Sequence, residues 1–110
     1  MPFGASDTIR KALTELLAAR GGFVIFDDGH GNDFVQFGLT ERGLYLFWPS
    51  VSRIPAERVA VLLTNPDLQD DGVYAEFGRD IEAVEAFTIR AFRELFARDP
   101  QKLNVQLDLE

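Results

Sequence analysis

The residues best suited to chemistry are concentrated in one short segment, Asp27–Asp33, which is rich in carboxylate and amide side chains. Hard cations such as Ca²⁺ bind where several oxygen ligands converge on one point. A calcium-binding loop that began at Asp28 would need glycine at its sixth position and glutamate at its twelfth, where this chain has Asp33 and Leu39. The spacing therefore does not predict a calcium site.

His30 is the only histidine of the chain and lies between Gly29 and Gly31. Acid–base catalysis would need a carboxylate that orients the ring and a cleft for a substrate, and the sequence indicates no cleft. We expect a solvated histidine in a hairpin loop whose two glycines take positive φ. Phosphate-loop and nucleophile-elbow motifs are also missing. We predict no enzyme, no catalytic residue, no metal site and no cofactor.

The composition excludes several classes of function. The chain has 110 residues, no cysteine and a formal net charge of −7, so it forms no disulfide and no thiolate site. Nucleic-acid phosphates attract clustered Lys and Arg and repel an acidic protein. No apolar run approaches the ~20 residues that span a bilayer, and the N-terminal residues do not look like a secretory signal. We expect one cytoplasmic domain, residues 1–110, that binds neither nucleic acid nor membrane.

Hydrophobic periodicity predicts an α+β fold with three helices and an antiparallel sheet of about four to five strands. The predicted helices are Ser6–Arg20, a short helix that begins at Pro55 and ends before Asn65, and Asp80–Arg98. The predicted strands are Phe23–Phe26, Phe34–Leu39, Leu44–Trp48, Val73–Phe77 and Leu103–Leu109. Ser6 and Asp80 are the expected N-caps, and residues 67–72 are expected to form a polar loop.

A sheet with helices on one face should present a polar second face, yet these strands are apolar on both. Strand alternation gives one face four residues of the second and third strands: Phe34, Gln36, Tyr45 and Phe47. Two interpretations remain open. Either this face contacts another protein, as exposed apolar patches do, or the last helix covers it with Ile89, Phe92 and Phe96.

The element order and three short segments resemble a known family. The segments are Gly22–Val24, Phe34–Phe37 and Phe92–Phe96. These segments are similar to the TY-Chap domains, and the element order resembles that of the type III secretion chaperones and the YbjN proteins. The resemblance covers roughly residues 6–98. The chain departs from the family after the short helix, where Thr64–Pro66 replaces a Leu-Gly-Trp turn.

The resemblance implies a chaperone-like homodimer that holds an extended segment of a client protein. Extended segments bind by adding to a sheet edge or by placing side chains in surface pockets. The residues that we expect to contact the client are Phe34, Gln36, Tyr45 and Phe47. By analogy with secretion chaperones, the residues that we expect to form the dimer contact are Val59, Leu62 and Leu63. The alternative is a non-enzymatic regulatory or immunity-type protein that binds one specific partner.

Overall fold

The computed structural model describes residues 4–29, 33–100 and 102–110. Its helices are α1 (Ala5–Leu17), α2 (Ala56–Ala60) and α3 (Ile81–Arg90), and α3 continues into a π-helical turn, Ala91–Leu95. Its strands are β1 (Gly22–Asp27), β2 (Phe34–Thr40), β3 (Gly43–Pro49), β4 (Asp67–Gln69), β5 (Gly72–Gly78) and β6 (Asn104–Leu109). The predicted α+β class is confirmed. No described helix is long and apolar enough to cross a membrane.

The strands form one six-stranded antiparallel sheet in the order β4-β5-β3-β2-β1-β6. All five predicted strands are present, and their ends differ from the prediction by one residue at most. The predicted strand number was too low because residues 67–72 were expected to be a loop. β4 is three residues long and exposed throughout, so it has no alternation of apolar and polar residues that could have revealed it.

The first and last helices begin differently from each other. Asp80 caps α3 as predicted, since its carboxylate accepts a hydrogen bond of 3.1 Å from the amide of Ala83. The predicted cap of α1 was wrong, because Gly4 is its N-cap and makes no side-chain hydrogen bond. Ala5 is buried in the core, and this packing extends the helix back past Ser6.

One hydrophobic core joins all three helices to a single face of the sheet. The buried strand residues are Val24, Phe26, Val35, Phe37, Leu44, Leu46, Trp48, Val73 and Ala75. The helices and the π-helical turn supply Ile9, Leu13, Leu16, Val59, Val84, Phe87, Phe92 and Phe96 among others. Aromatic rings connect the two layers, as where Trp48 stacks on Phe96 with ring centroids 5.6 Å apart.

The last helix therefore packs on the same face as the other two. Phe92 and Phe96 are buried in the common core, and Ile89 packs against it. The interpretation that these three residues cover the second face of the sheet is wrong. The face is decided by the direction in which α3 crosses the sheet after β5, and hydrophobic periodicity does not contain that direction.

Candidate functional site

The second face of the sheet, here called the open face, is the candidate site. It consists of Phe23, Ile25, Phe34, Gln36, Tyr45, Phe47 and Tyr74. All of these side chains are half-buried, and none belongs to the core or packs against it. Within the described residues, the helices lie on the opposite side. The open face is thus an apolar and aromatic surface with no helix over it.

Strand register arranges the open face in two rows across the sheet. One row runs from β4 to β6 through Asp67, Tyr74, Phe47, Gln36, Ile25 and Gln106. The neighbouring row runs from β5 to β6 through Glu76, Tyr45, Gly38, Phe23 and Asp108. Directly opposed side chains on a sheet face have Cβ atoms ~4.5–5.5 Å apart, so the side chains of each row lie beside one another, with Gly38 as the one position that has none.

Tyr45 is held against the sheet by its cross-strand neighbour. A Cβ placed on Gly38 would be 2.5 Å from Cζ of Tyr45, so the phenol ring lies directly over the glycine. Any larger residue at position 38 would displace this ring. The absence of a side chain at Gly38 is therefore what allows Tyr45 to lie close to the surface of β2.

Tyr74 extends the aromatic surface towards β4. Its ring and that of Phe47 have centroids 4.9 Å apart. Its hydroxyl donates a hydrogen bond of 2.8 Å to Asp71, and this bond raises the pKa of the phenol above its usual value. Beside it lies a depression of about 640 Å³, whose walls include Tyr45, Tyr74 and Glu76. The open face thus ends in a shallow hollow whose walls combine aromatic rings and carboxylates with Arg42.

In the other candidate, the Asp27–Asp33 segment, Asp28 and Asp33 are bonded to two arginines on the helical side of the sheet. Arg53 donates two hydrogen bonds of 2.8 Å to Asp33, and Arg98 bridges Asp28 and Asp33. These bonds lower the pKa of Asp33 below its usual range, and the hydrogen bond from Arg53 has the largest effect. Both guanidinium groups lie over the ring of Phe96, at 5.7 and 5.6 Å from its centroid.

This arrangement is one of ion pairs within the protein. Among the described residues, no three acidic, histidine or cysteine side chains cluster as metal ligands would. Gly29 has φ +81°, so its predicted positive φ is confirmed. His30, Gly31 and Asn32 lie outside the described residues, and the expectations for them stay predictions.

The four predicted client-contacting residues share the open face, because Gln36 is opposite Phe47 and Tyr45 is opposite Gly38. The residues predicted to form a dimer contact are placed differently. Val59 is fully buried, because α2 turns it into the core, so it has no surface to offer a second copy. Leu62 and Leu63 are half-buried and pack against the core, and for them the dimer contact stays a prediction.

Three members of the open face were not among the predicted site residues: Phe23, Ile25 and Tyr74. Alternation along β1 could have found Phe23 and Ile25, which lie opposite Gly38 and Gln36. Tyr74 could not have been found in this way. Its place beside Phe47 depends on the pairing of β3 with β5, two strands separated by α2 and β4 in the chain.

Comparison with known proteins adds no homologue to this description. No family model, no curated protein and no solved structure matches the chain. Its function must therefore be inferred from its own surface.

Proposed function

We propose that this protein is a chaperone-like binding module that holds an extended segment of another protein against the open face. The observation that supports this proposal is the row of half-buried aromatic and aliphatic side chains with no described helix over it. Exposed apolar patches of this kind are typical of protein-binding sites. The element order predicted from the sequence resembles that of the secretion chaperones, and we include that likeness in the proposal.

An extended segment suits this surface because its side chains alternate, as those of the strands do. Every second residue would lie in the rows around Phe47 and Tyr45. Full burial of one large apolar side chain contributes ~1.5–3 kcal/mol, and these side chains are already half-buried. Since association costs ~4–15 kcal/mol, we expect micromolar rather than nanomolar affinity, which suits a protein that must release its client.

The homodimer that belongs to this proposal needs a contact other than Val59. We assign it to the outer edge of β6, which pairs only with β1 among the described strands. Val105 and Leu109 on this strand are 39% and 47% exposed. If a second β6 adds antiparallel about a twofold axis centred on Gln106, Val105 lies opposite the second copy's Leu107, so apolar residues meet apolar residues.

Light scattering tests the dimer contact with a matched pair of variants. Val105→Lys should convert a dimer to a monomer, because it places charge in the new strand pair. Val61→Lys, at a residue that is 81% exposed and outside the sheet, should leave the dimer intact. A wild-type protein that remains monomeric at high micromolar concentration would remove the dimer from the proposal and leave the open face unaffected.

A second pair of variants tests the open face itself. Tyr45→Ser with Phe47→Ser removes apolar area without adding charge, and Val51→Ser with Val61→Ser is the control at two exposed residues off the sheet. The probes are immobilised peptides of about eight residues or more, the length that crosses six strands at ~4.8 Å spacing. We expect the first pair to weaken binding at least tenfold and the control to change it little.

The pattern of binding separates the proposal from its alternative. A chaperone-like module should bind several related peptides with similar affinity. An immunity-type protein should bind one folded partner tightly and the peptides not at all. Equal binding by the wild type and by the Tyr45→Ser, Phe47→Ser variant would contradict a role for the open face in either function.

A further inference from the structure

The charged residues of this protein are divided unevenly between strands and the rest of the chain. The sequence has 11 Lys and Arg residues, and none of them lies within β1–β6. The strands do contain four carboxylates: Asp27, Asp67, Glu76 and Asp108. Register places all four on the open face. The charges that the strands themselves contribute to this face are therefore all negative, while Arg42, in the turn between β2 and β3, adds a positive charge beside Glu76.

Each of these carboxylates lies directly opposite an aromatic residue of the open face. The four pairs are Asp27 with Phe34, Asp67 with Tyr74, Glu76 with Tyr45, and Asp108 with Phe23. Opposed side chains have Cβ atoms ~4.5–5.5 Å apart. A cation that lies over any one ring is thus within reach of a carboxylate. The second row carries this arrangement at both ends, with Glu76 on one side and Asp108 on the other.

The helical side of the same protein shows that a ring and a carboxylate together hold a cation. Arg53 and Arg98 lie over Phe96 and donate to Asp33 at 2.8 Å. Cation–π attraction and a charge-assisted hydrogen bond act on one guanidinium group. The open face offers the same two groups. Its carboxylate Glu76 meets Arg42 across 3.4 Å with both side chains largely exposed, a pairing weak enough for a ligand to replace.

We propose that the open face selects an extended segment in which lysine or arginine residues accompany the apolar ones. This inference rests on the proposed function and names the class of client. Apolar side chains of the segment lie along Phe47 and Ile25, and its cations lie over Tyr45, Phe23 or Tyr74 beside the carboxylates. An acidic segment would bring like charges together at both ends of the rows on the open face, and this repulsion excludes it.

Three synthetic peptides that differ only in charge test the selection. All three have serine at every second position, and the positions between alternate phenylalanine with a second residue type, which is lysine in one peptide, glutamine in the second and glutamate in the third. In an extended peptide both residue types then face the sheet. We expect the lysine peptide to bind at least tenfold more tightly than the glutamine peptide at low salt, and the glutamate peptide to bind least. Because salt screens exposed charges beyond ~3 Å at 1 M, the difference should shrink greatly there.

Neutralisation of the acidic residues locates the effect. The variant Asp67→Asn with Glu76→Gln and Asp108→Asn removes three carboxylates from the open face. The control Glu15→Gln with Glu57→Gln and Glu82→Gln removes three exposed carboxylates from helices. Both variants change the net charge equally. Only the first variant should reduce the affinity for the lysine peptide, by about tenfold if each contact has the strength of an exposed ion pair. The three peptides should then bind to this variant with nearly equal affinity.

The outcomes distinguish this inference from the function on which it rests. If all three peptides bind equally and the Tyr45→Ser, Phe47→Ser variant loses them all, the open face binds segments but does not select basic ones, and the inference is wrong. If the two sets of carboxylate variants behave alike, the attraction comes from net charge and the inference is also wrong. If no peptide binds to the wild type, the proposed function itself fails.

Discussion

Phe37 and Phe47 lie on adjacent strands of one sheet and have opposite environments. Phe37 is fully buried and makes edge-to-face contacts with Phe26, Phe77 and Phe87. Phe47 is half-buried, on the open face, and its ring contact is with Tyr74. The same side chain therefore stabilises the fold on one face and remains available for binding on the other. The helices make this difference, because they cover only one of two apolar faces.

The largest expected effect comes from truncating these two residues in turn. Phe37→Ala should lower the free energy of unfolding by about 3–5 kcal/mol, because it leaves a cavity among three aromatic rings. Phe47→Ala should lower it by about 1 kcal/mol or less, since water already reaches that side chain. Urea unfolding followed by fluorescence of the single tryptophan, Trp48, measures both. Equal losses would show that the open face is part of the core.

An intermediate effect on stability is expected from the carboxylates, which are bonded to arginines on the helical side of the sheet and exposed on the open face. Asp33 is buried and bonded to Arg53 and Arg98, whereas Asp108 is exposed on the open face. Asp33→Asn should lower the free energy of unfolding by about 1–2 kcal/mol, because it weakens a network of charged hydrogen bonds. The value is at the low end for such a network because solvent reaches Arg53. Asp108→Asn should change it little. A loss at Asp108 as large as that at Asp33 would contradict the comparison.

The bonding of Asp33 to Arg53 also predicts that the stability of the protein depends on pH. Hydrogen bonds from Arg53 lower the pKa of Asp33 in the folded state, so folding favours its ionised form. Its contribution is fully present above the ordinary carboxylate pKa of about 4 and is lost as the pH falls through the lowered pKa of the folded state. Thermal melting between about pH 5 and pH 2 should therefore fall less steeply for Asp33→Asn than for the wild type. Parallel curves would contradict this assignment.

The smallest expected effect lies at the end of the helical layer. Ala97 has φ +57°, and the amide of Arg98 donates to the carbonyl of Phe92 at 2.9 Å, a helix ending that normally uses glycine. A non-glycine residue in this conformation costs ~1–2 kcal/mol. Ala97→Gly should therefore raise the free energy of unfolding by up to about 1 kcal/mol, after the added chain entropy of glycine. A melting temperature at or below that of the wild type would contradict it.

Much of the fold could be predicted from local patterns. The strands β1, β2, β3, β5 and β6 were found to within one residue at each end, because apolar alternation or a continuous apolar run marks them. The cap of α3 at Asp80 was equally local. β4 and the π-helical turn were missed, since neither has a periodicity of its own. The basis of β4 is tertiary, because it is a strand through its pairing with β5.

The sequence by itself determined that Phe34, Gln36, Tyr45 and Phe47 share a face. This follows from the two-residue period of an extended backbone, which needs no information from distant parts of the chain. Only the tertiary structure decided which apolar face the helices cover, and that Tyr74 joins the uncovered one. Hydrophobic burial has no direction, so helices could cover either apolar face. The crossing of α3 and the pairing of β5 with β3 decide which face they cover.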